Sequence, residues 1–431
     1  MNIINQHKLN QIKYLIWAYF VLLVFEGALR KWIVPSLSTP LLIIRDPVAI
    51  LLMFKATQLG VGWMNNYIRI AWFVTAVSFA LSFLIGHQNI MVAVFGLRIM
   101  LIHFPLIFII GKVFNKKDVL QMGQVLLLFS IIMTILIALQ YFSPQSSWVN
   151  RGVGGDAEGS GFSGANGYLR PSGVFSFTNG VVLFYQICLV YILYFWMNGF
   201  LGKKIILYAS TVAYLLAMVL CISRTLVASS VLTMLFLFIY GLKSPKHTYK
   251  MLQMLVVLFV VILLLQLTPI FNIATETLLN RFEMASNSEG DFVQGSIGKR
   301  IFGGVFDAFS KSMNSPFFEG RLGMGTSVGS KLLTGGQAYL ISEGEIGRVL
   351  GERGFILGLI LLGTRFFFAY SLGIKSFILT KKNELLPWLF YSALGVNIFI
   401  GLWGQPTALG FIVLPAGLSL ACFNSIKIKK T

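Results

Sequence analysis

Apolar residues run along this chain in blocks of about twenty, the length a helix needs to cross a hydrocarbon core, with short polar segments between them. The blocks predict helices near 12–30, 41–59, 67–86, 90–111, 119–141 and 174–196, then 204–222, 225–242, 251–272, 346–371, 386–403 and 406–424. Twelve spans return the chain to the side on which it started. Two polar stretches interrupt the series, 142–173 and 272–345, and the count places both on the face opposite the termini. The expectation is an all-α polytopic membrane protein, a single membrane domain over 1–431, with 272–345 as a large outer loop between spans nine and ten. The first block starts like a signal peptide, with Lys8 and Lys13 ahead of an apolar core. It continues into Glu26, Arg30 and Lys31 without a small-residue cleavage site, and so is expected to be an uncleaved anchor.

Composition agrees: 56% of residues are apolar and 11% charged, against roughly 25% charged in soluble domains, which excludes a soluble globular chain. The net charge of +19 belongs with the bilayer. With the N-terminus inside, every inner segment is basic, as the positive-inside rule asks, and no basic stripe with interleaved aromatics points to nucleic acid. The kind of cation also changes with the side. Inner segments carry lysine almost throughout, with Arg69 the one exception, whereas the remaining positions hold twelve arginines and four lysines. Arginine presents a planar fork suited to phosphate or carboxylate, so the outer side is expected to meet an anion. The plainer alternative is pairing with the acids, most of which lie on that side too. Three cysteines far apart, with no CxxC or metal-ligand spacing, predict neither a disulfide framework nor a metal site.

Several clusters carry possible chemistry. Glu26 and Arg30 share a helical face in FEGALRKW, and Arg45 and Asp46 open the second span in LLIIRDP, an arrangement expected to be chiefly a structural clamp. Arg98 lies deep in the fourth span, where an unpaired cation is costly, and His103, five residues on, is not expected to share its face. The first outer loop, RGVGGDAEGSGFSGANGYLR, ends on Arg170 at the mouth of a span, and CISRTLV sets Ser223 and Arg224 at the same membrane level. Arg170 and Arg224, with Arg98, are the expected diphosphate-binding set. In the second loop, Gly323, Gly325 and Gly329 lack the strand and GK[ST] of a nucleotide loop and are expected to shape a turn. Arg281, Arg300 and Arg321 are available to guide a chain or an acidic sugar. Glu343, Glu345, Arg348, Glu352 and Arg353 then enter the tenth span together. They offer either a general base or a salt-bridge lattice that caps a helix. No DxD pair, HExxH or GxSxG occurs, so a reaction here would need a substrate with its own leaving group, such as a lipid diphosphate, and no cofactor or metal is expected.

These residues together resemble the O-antigen polymerase and O-antigen ligase superfamily of bacterial envelope proteins. The matching pieces are Arg170 followed by Gly173, Phe175 and Asn179; Ser223 with Arg224; Gly323 and Gly325; and Glu352, Gly354 and Gly358. The resemblance implies a GT-C-like helical bundle in the bacterial inner membrane. It implies a glycosyltransferase that takes an undecaprenyl-diphosphate-linked glycan on the outer side and transfers it with inversion. A flippase and a chain-length regulator would be its partners, and Arg170 and Arg224 would bind diphosphate. Ligases carry a histidine eleven residues before the glycine of the ExG entry motif; here that position is Glu343, which favours a polymerase and makes Glu343 or Glu345 the base. A ligase, and a lipid-linked oligosaccharide flippase or transporter, are the alternatives.

Overall fold

The computed structural model describes residues 3–159, 162–200, 202–289, 303–313, 316–335 and 340–427. In chain order these form helices α1 (Ile3–Ala28), α2 (Arg45–Gln58), α3 (Asn66–Leu84), α4 (Ile90–Arg98), α5 (Phe104–Val113), α6 (Lys116–Phe142), α7 (Thr178–Asn198), α8 (Lys204–Leu220) and α9 (Arg224–Gly241). They continue as α10 (Pro245–Gln266), α11 (Pro269–Glu289), α12 (Gly304–Met313), α13 (Ser327–Thr334), α14 (Glu345–Arg353), α15 (Phe355–Thr380), α16 (Leu386–Ile400) and α17 (Pro406–Lys427). A two-residue antiparallel ladder, β1 (Phe162–Ser163) with β2 (Leu169–Arg170), sets Phe162 opposite Arg170.

Nine helical segments among the described residues are long and apolar enough to cross a membrane, so the chain is an all-α, multi-pass membrane protein. Two of the expected spans, α8 and α16, are apolar but shorter, and a third, α2, has only fourteen residues and opens on Arg45 and Asp46. At the centre stands α7, apolar on every face and buried almost throughout, as such a helix must be in a bundle. Around it pack α6, α8, α9, α16 and α17. By contrast α10 lies at the periphery with most of its apolar side chains exposed, as lipid contact allows.

The two ends of the bundle differ. At one, Lys13 pairs with Asp118 at 2.7 Å and Lys116 with Glu384. At the other, the starts of α7, α13, α14 and α17 converge.

Three expectations need correction. The apolar block at 346–371 is not one helix, because the chain breaks at Gly354, with φ of +80°, between α14 and α15. A Cβ there would sit 2.6 Å from the Phe317 carbonyl oxygen, so both backbone conformation and space ask for glycine. The stretch 272–345 is not simply a loop, since it holds most of α11 and all of α12 and α13. Finally, Arg98 and His103 do share a face. The segment Ile99–His103 is a π-turn, whose wider i to i+5 winding brings residues five apart together.

Candidate functional site

At the end where helices start, a cavity of about 390 Å³ opens between five stretches of the chain. Glu26 and Arg30 come from α1 and the π-turn Leu29–Ile33 that extends it; Ser176 to Gly180 bring the start of α7. Gly325 to Ser327 bring the start of α13, Glu343, Glu345 and Arg348 come from α14 and the residues before it, and Gln405 to Thr407 open α17.

The end of α1 positions the floor. Lys31 Nζ donates to Ser172 Oγ at 2.6 Å and to the Gly173 carbonyl at 3.2 Å, and Arg30 Nη1 donates to Ser176 Oγ at 3.0 Å. These bonds hold the turn-containing return 171–177 against α1 and deliver Thr178 and Asn179 to the cavity. No side chain caps α7; the Gly180 N–H donates to the Phe177 carbonyl at 3.0 Å, and the N–H groups of Thr178 and Asn179 with the positive end of the dipole are left for whatever enters. Arg30 is itself buried, with Nε on the Ser38 carbonyl at 2.7 Å and Nη1 also 3.5 Å from Glu26; its Nη2 makes no bond among the described residues. Glu26 in turn accepts from Arg45 Nε at 3.1 Å.

Opposite stands a buried lattice on α14. Arg348 grips Glu345 through both Nε and Nη2, at 2.9 and 2.7 Å, and reaches Glu352 at 2.8 Å. Arg365, from inside α15, donates to Glu345 at 2.8 Å while its guanidinium lies 4.6 Å from the centre of the Trp403 ring. Glu352 also accepts from Arg353 at 2.9 Å and from the Gly325 N–H at 3.0 Å, which ties the glycine turn to the lattice. Two carboxylates face three guanidiniums, leaving one positive charge over. Burial alone would push the Glu345 carboxyl up, but Arg348 and Arg365 outweigh it and hold it below the usual carboxylate range. Burial likewise lowers Arg348, and the two glutamates more than reverse it. Glu345 is thus ionised with its lone pairs engaged. Glu343 differs: it is exposed to the cavity and makes no hydrogen bond or ion pair among the described residues.

The expected site residues therefore divide. Glu343, Glu345, Arg348 and Asn179 meet at the cavity, with Glu352 and Arg353 directly behind. Arg98 does not join them: it forms a bidentate pair with Asp46, both distances 2.6 Å, completed by His103 at 2.9 Å. That corrects its place in the diphosphate-binding set, because the carboxylate already fills its fork. Arg170 and Arg224 are half-buried and do not line the cavity. Arg170 pairs across the ladder with Phe162, a lining residue, and the hairpin's Gly164 packs against Ile222, two residues from Arg224. Ser223 serves as the N-cap of α9, accepting from the Leu226 N–H at 3.3 Å. Arg321 pairs with Glu319 at 3.1 Å, Arg281 lies on α11, and Arg300 lies outside the described residues.

Sequence reasoning passed over Arg365, although a lone arginine in LLGTRFFF carried the signal that intramembrane charge usually finds a partner or a task. It also assigned Arg30 to a clamp, whereas the side chain both clamps and faces the cavity. The hydroxyls of Ser176, Thr326 and Ser327 had no signal at all, since only the meeting of helix starts makes them lining residues. No family model, no curated protein and no solved structure matches the chain.

Proposed function

We propose that the protein is a bacterial inner-membrane glycosyltransferase that polymerises undecaprenyl-diphosphate-linked oligosaccharide repeats into surface polysaccharide on the outer side of the membrane. The observation that carries this is one cavity lined both by Glu343, a carboxylate without a partner among the described residues, and by Arg30, whose Nη2 is open among them, beside the start of α7, which no side chain caps. A glycosyl transfer of this kind needs a base on one side and a seat for departing negative charge on the other. Further support comes from the motif resemblance at Arg170, Ser223, Arg224, Glu352 and Gly354.

In this scheme Glu343 takes the proton from an acceptor sugar hydroxyl. The freed oxygen attacks the anomeric carbon of the donor from the face opposite the diphosphate. The new C–O bond forms as the C–O bond to phosphate breaks, and the electron pair leaves with the lipid diphosphate. Arg30 and the α7 N–H groups receive that charge, and Arg170 and Arg224 hold the diphosphate behind Phe162. Glu345 positions Arg348 and is not the base.

The test is a gel of surface polysaccharide and of lipid-linked glycan from cells lacking the gene, complemented with wild type or Glu343→Gln. Loss of the ladder with accumulation of single lipid-linked repeats is expected. Long chains stranded on the carrier lipid would mean a ligase, and single repeats trapped on the cytoplasmic leaflet a flippase.

A further inference from the structure

A second cavity, of about 400 Å³, lies at the other end of the bundle among the ends of α7 and α9, the start of α10 and the turn between α15 and α16. Since α7 begins at the first cavity and ends at the second, its 21 residues separate the two by roughly 30 Å. We propose that this second cavity is a binding site for the phosphate-bearing headgroup of an anionic phospholipid, held by Lys246, Lys250 and His247.

The lining is cationic and polar: Asn198, Ser244, Lys246, His247, Lys250 and Asn383 contribute, and among the described residues no carboxylate does. The nearest acid in sequence, Glu384, is already bound to Lys116. The Lys246 ammonium makes no hydrogen bond or ion pair among the described residues, and Lys250 uses one N–H on the Met197 carbonyl at 3.2 Å. His247 shares a hydrogen bond with the Tyr240 hydroxyl at 3.3 Å through Nε2. Positive charge gathered between helices at a membrane face is the arrangement that recognises lipid headgroups. A lipid also fits what continues from the cavity, because α10 leads away from it with Val256, Phe259 and Leu263 exposed along its length, a surface for an acyl chain.

The experiment is native mass spectrometry of the full chain in neutral detergent, titrated with phosphatidylglycerol, phosphatidylcholine or inorganic phosphate. Lys246→Gln alters an exposed side chain with no bond to lose, so the fold is retained; Lys246→Gln/Lys250→Gln removes both ammoniums. Lys8→Gln/Lys112→Gln, two exposed lysines at the same end, is the control. One phosphatidylglycerol per chain is expected, bound at least ten-fold more weakly by the Lys246/Lys250 pair variant and unchanged in the control. Equal weakening in the control, or phosphatidylcholine bound as tightly, would overturn the site as mere surface charge. Displacement of the lipid by micromolar inorganic phosphate would keep the anion site and overturn the lipid as its occupant.

Discussion

Glu343 and Glu345 are two residues apart and chemically unlike. One lies open to the cavity without a partner; the other is gripped by Arg348 and Arg365. Glu343→Gln is therefore expected to abolish polymer while leaving expression and thermal stability unchanged. Glu345→Gln leaves two buried guanidiniums undercompensated, which costs about 3–5 kcal/mol and should lower the unfolding temperature in detergent sharply. If the two variants behaved alike in both measurements, the division of roles would be wrong. Arg170→Lys and Arg224→Lys keep charge but lose the fork. Each is expected to reduce polymer at least ten-fold at normal protein levels, read from the same gel.

At the scale of elements, α14 is set by its break with α15. Gly354 holds φ of +80° against the backbone of Phe317 and Phe318, so Gly354→Ala is strained in conformation and crowded in space. A loss of about 1–3 kcal/mol is expected from the backbone alone, measurable as a lower unfolding temperature. The lattice behind it also predicts a pH dependence. Because the folded-state carboxyl of Glu345 is depressed, its contribution is present in full above the ordinary carboxylate range and is lost as pH falls through its lower folded value. The unfolding temperature in detergent should thus stay flat around neutral pH and fall only below about pH 4.

For the molecule as a whole, the central prediction is sidedness. Between Glu158 and Lys204 lies α7, one of the helices long and apolar enough to cross a membrane. The three native cysteines are buried and give little background. Glu158→Cys should react with a membrane-impermeant maleimide on intact cells, and Lys204→Cys only after permeabilisation. Labelling of both from one side would remove α7 as a crossing and the outer placement of the cavity with it.

Much of this was legible in the sequence, because a bilayer imposes a one-dimensional rule: every backbone group inside it must be satisfied locally, so apolar runs of sufficient length become helices. The positions of α1, α3, α6, α7, α9 and α17 follow from that rule, and the gathering of Glu343, Glu345, Arg348 and Glu352 from their spacing. Partner choice did not follow. Which arginine takes which acid depends on distances between helices, and those placed Arg98 on Asp46, across 52 residues, and Arg365 on Glu345. The π-turn at Ile99–His103 and the break at Gly354 are likewise tertiary outcomes, each set by what packs against the backbone there. The sequence by itself determined that the chain is helical and lies in a membrane. Only the tertiary structure decided which charges cancel and which remain open to a ligand, because pairing is a property of the packed bundle and not of the order of residues along it.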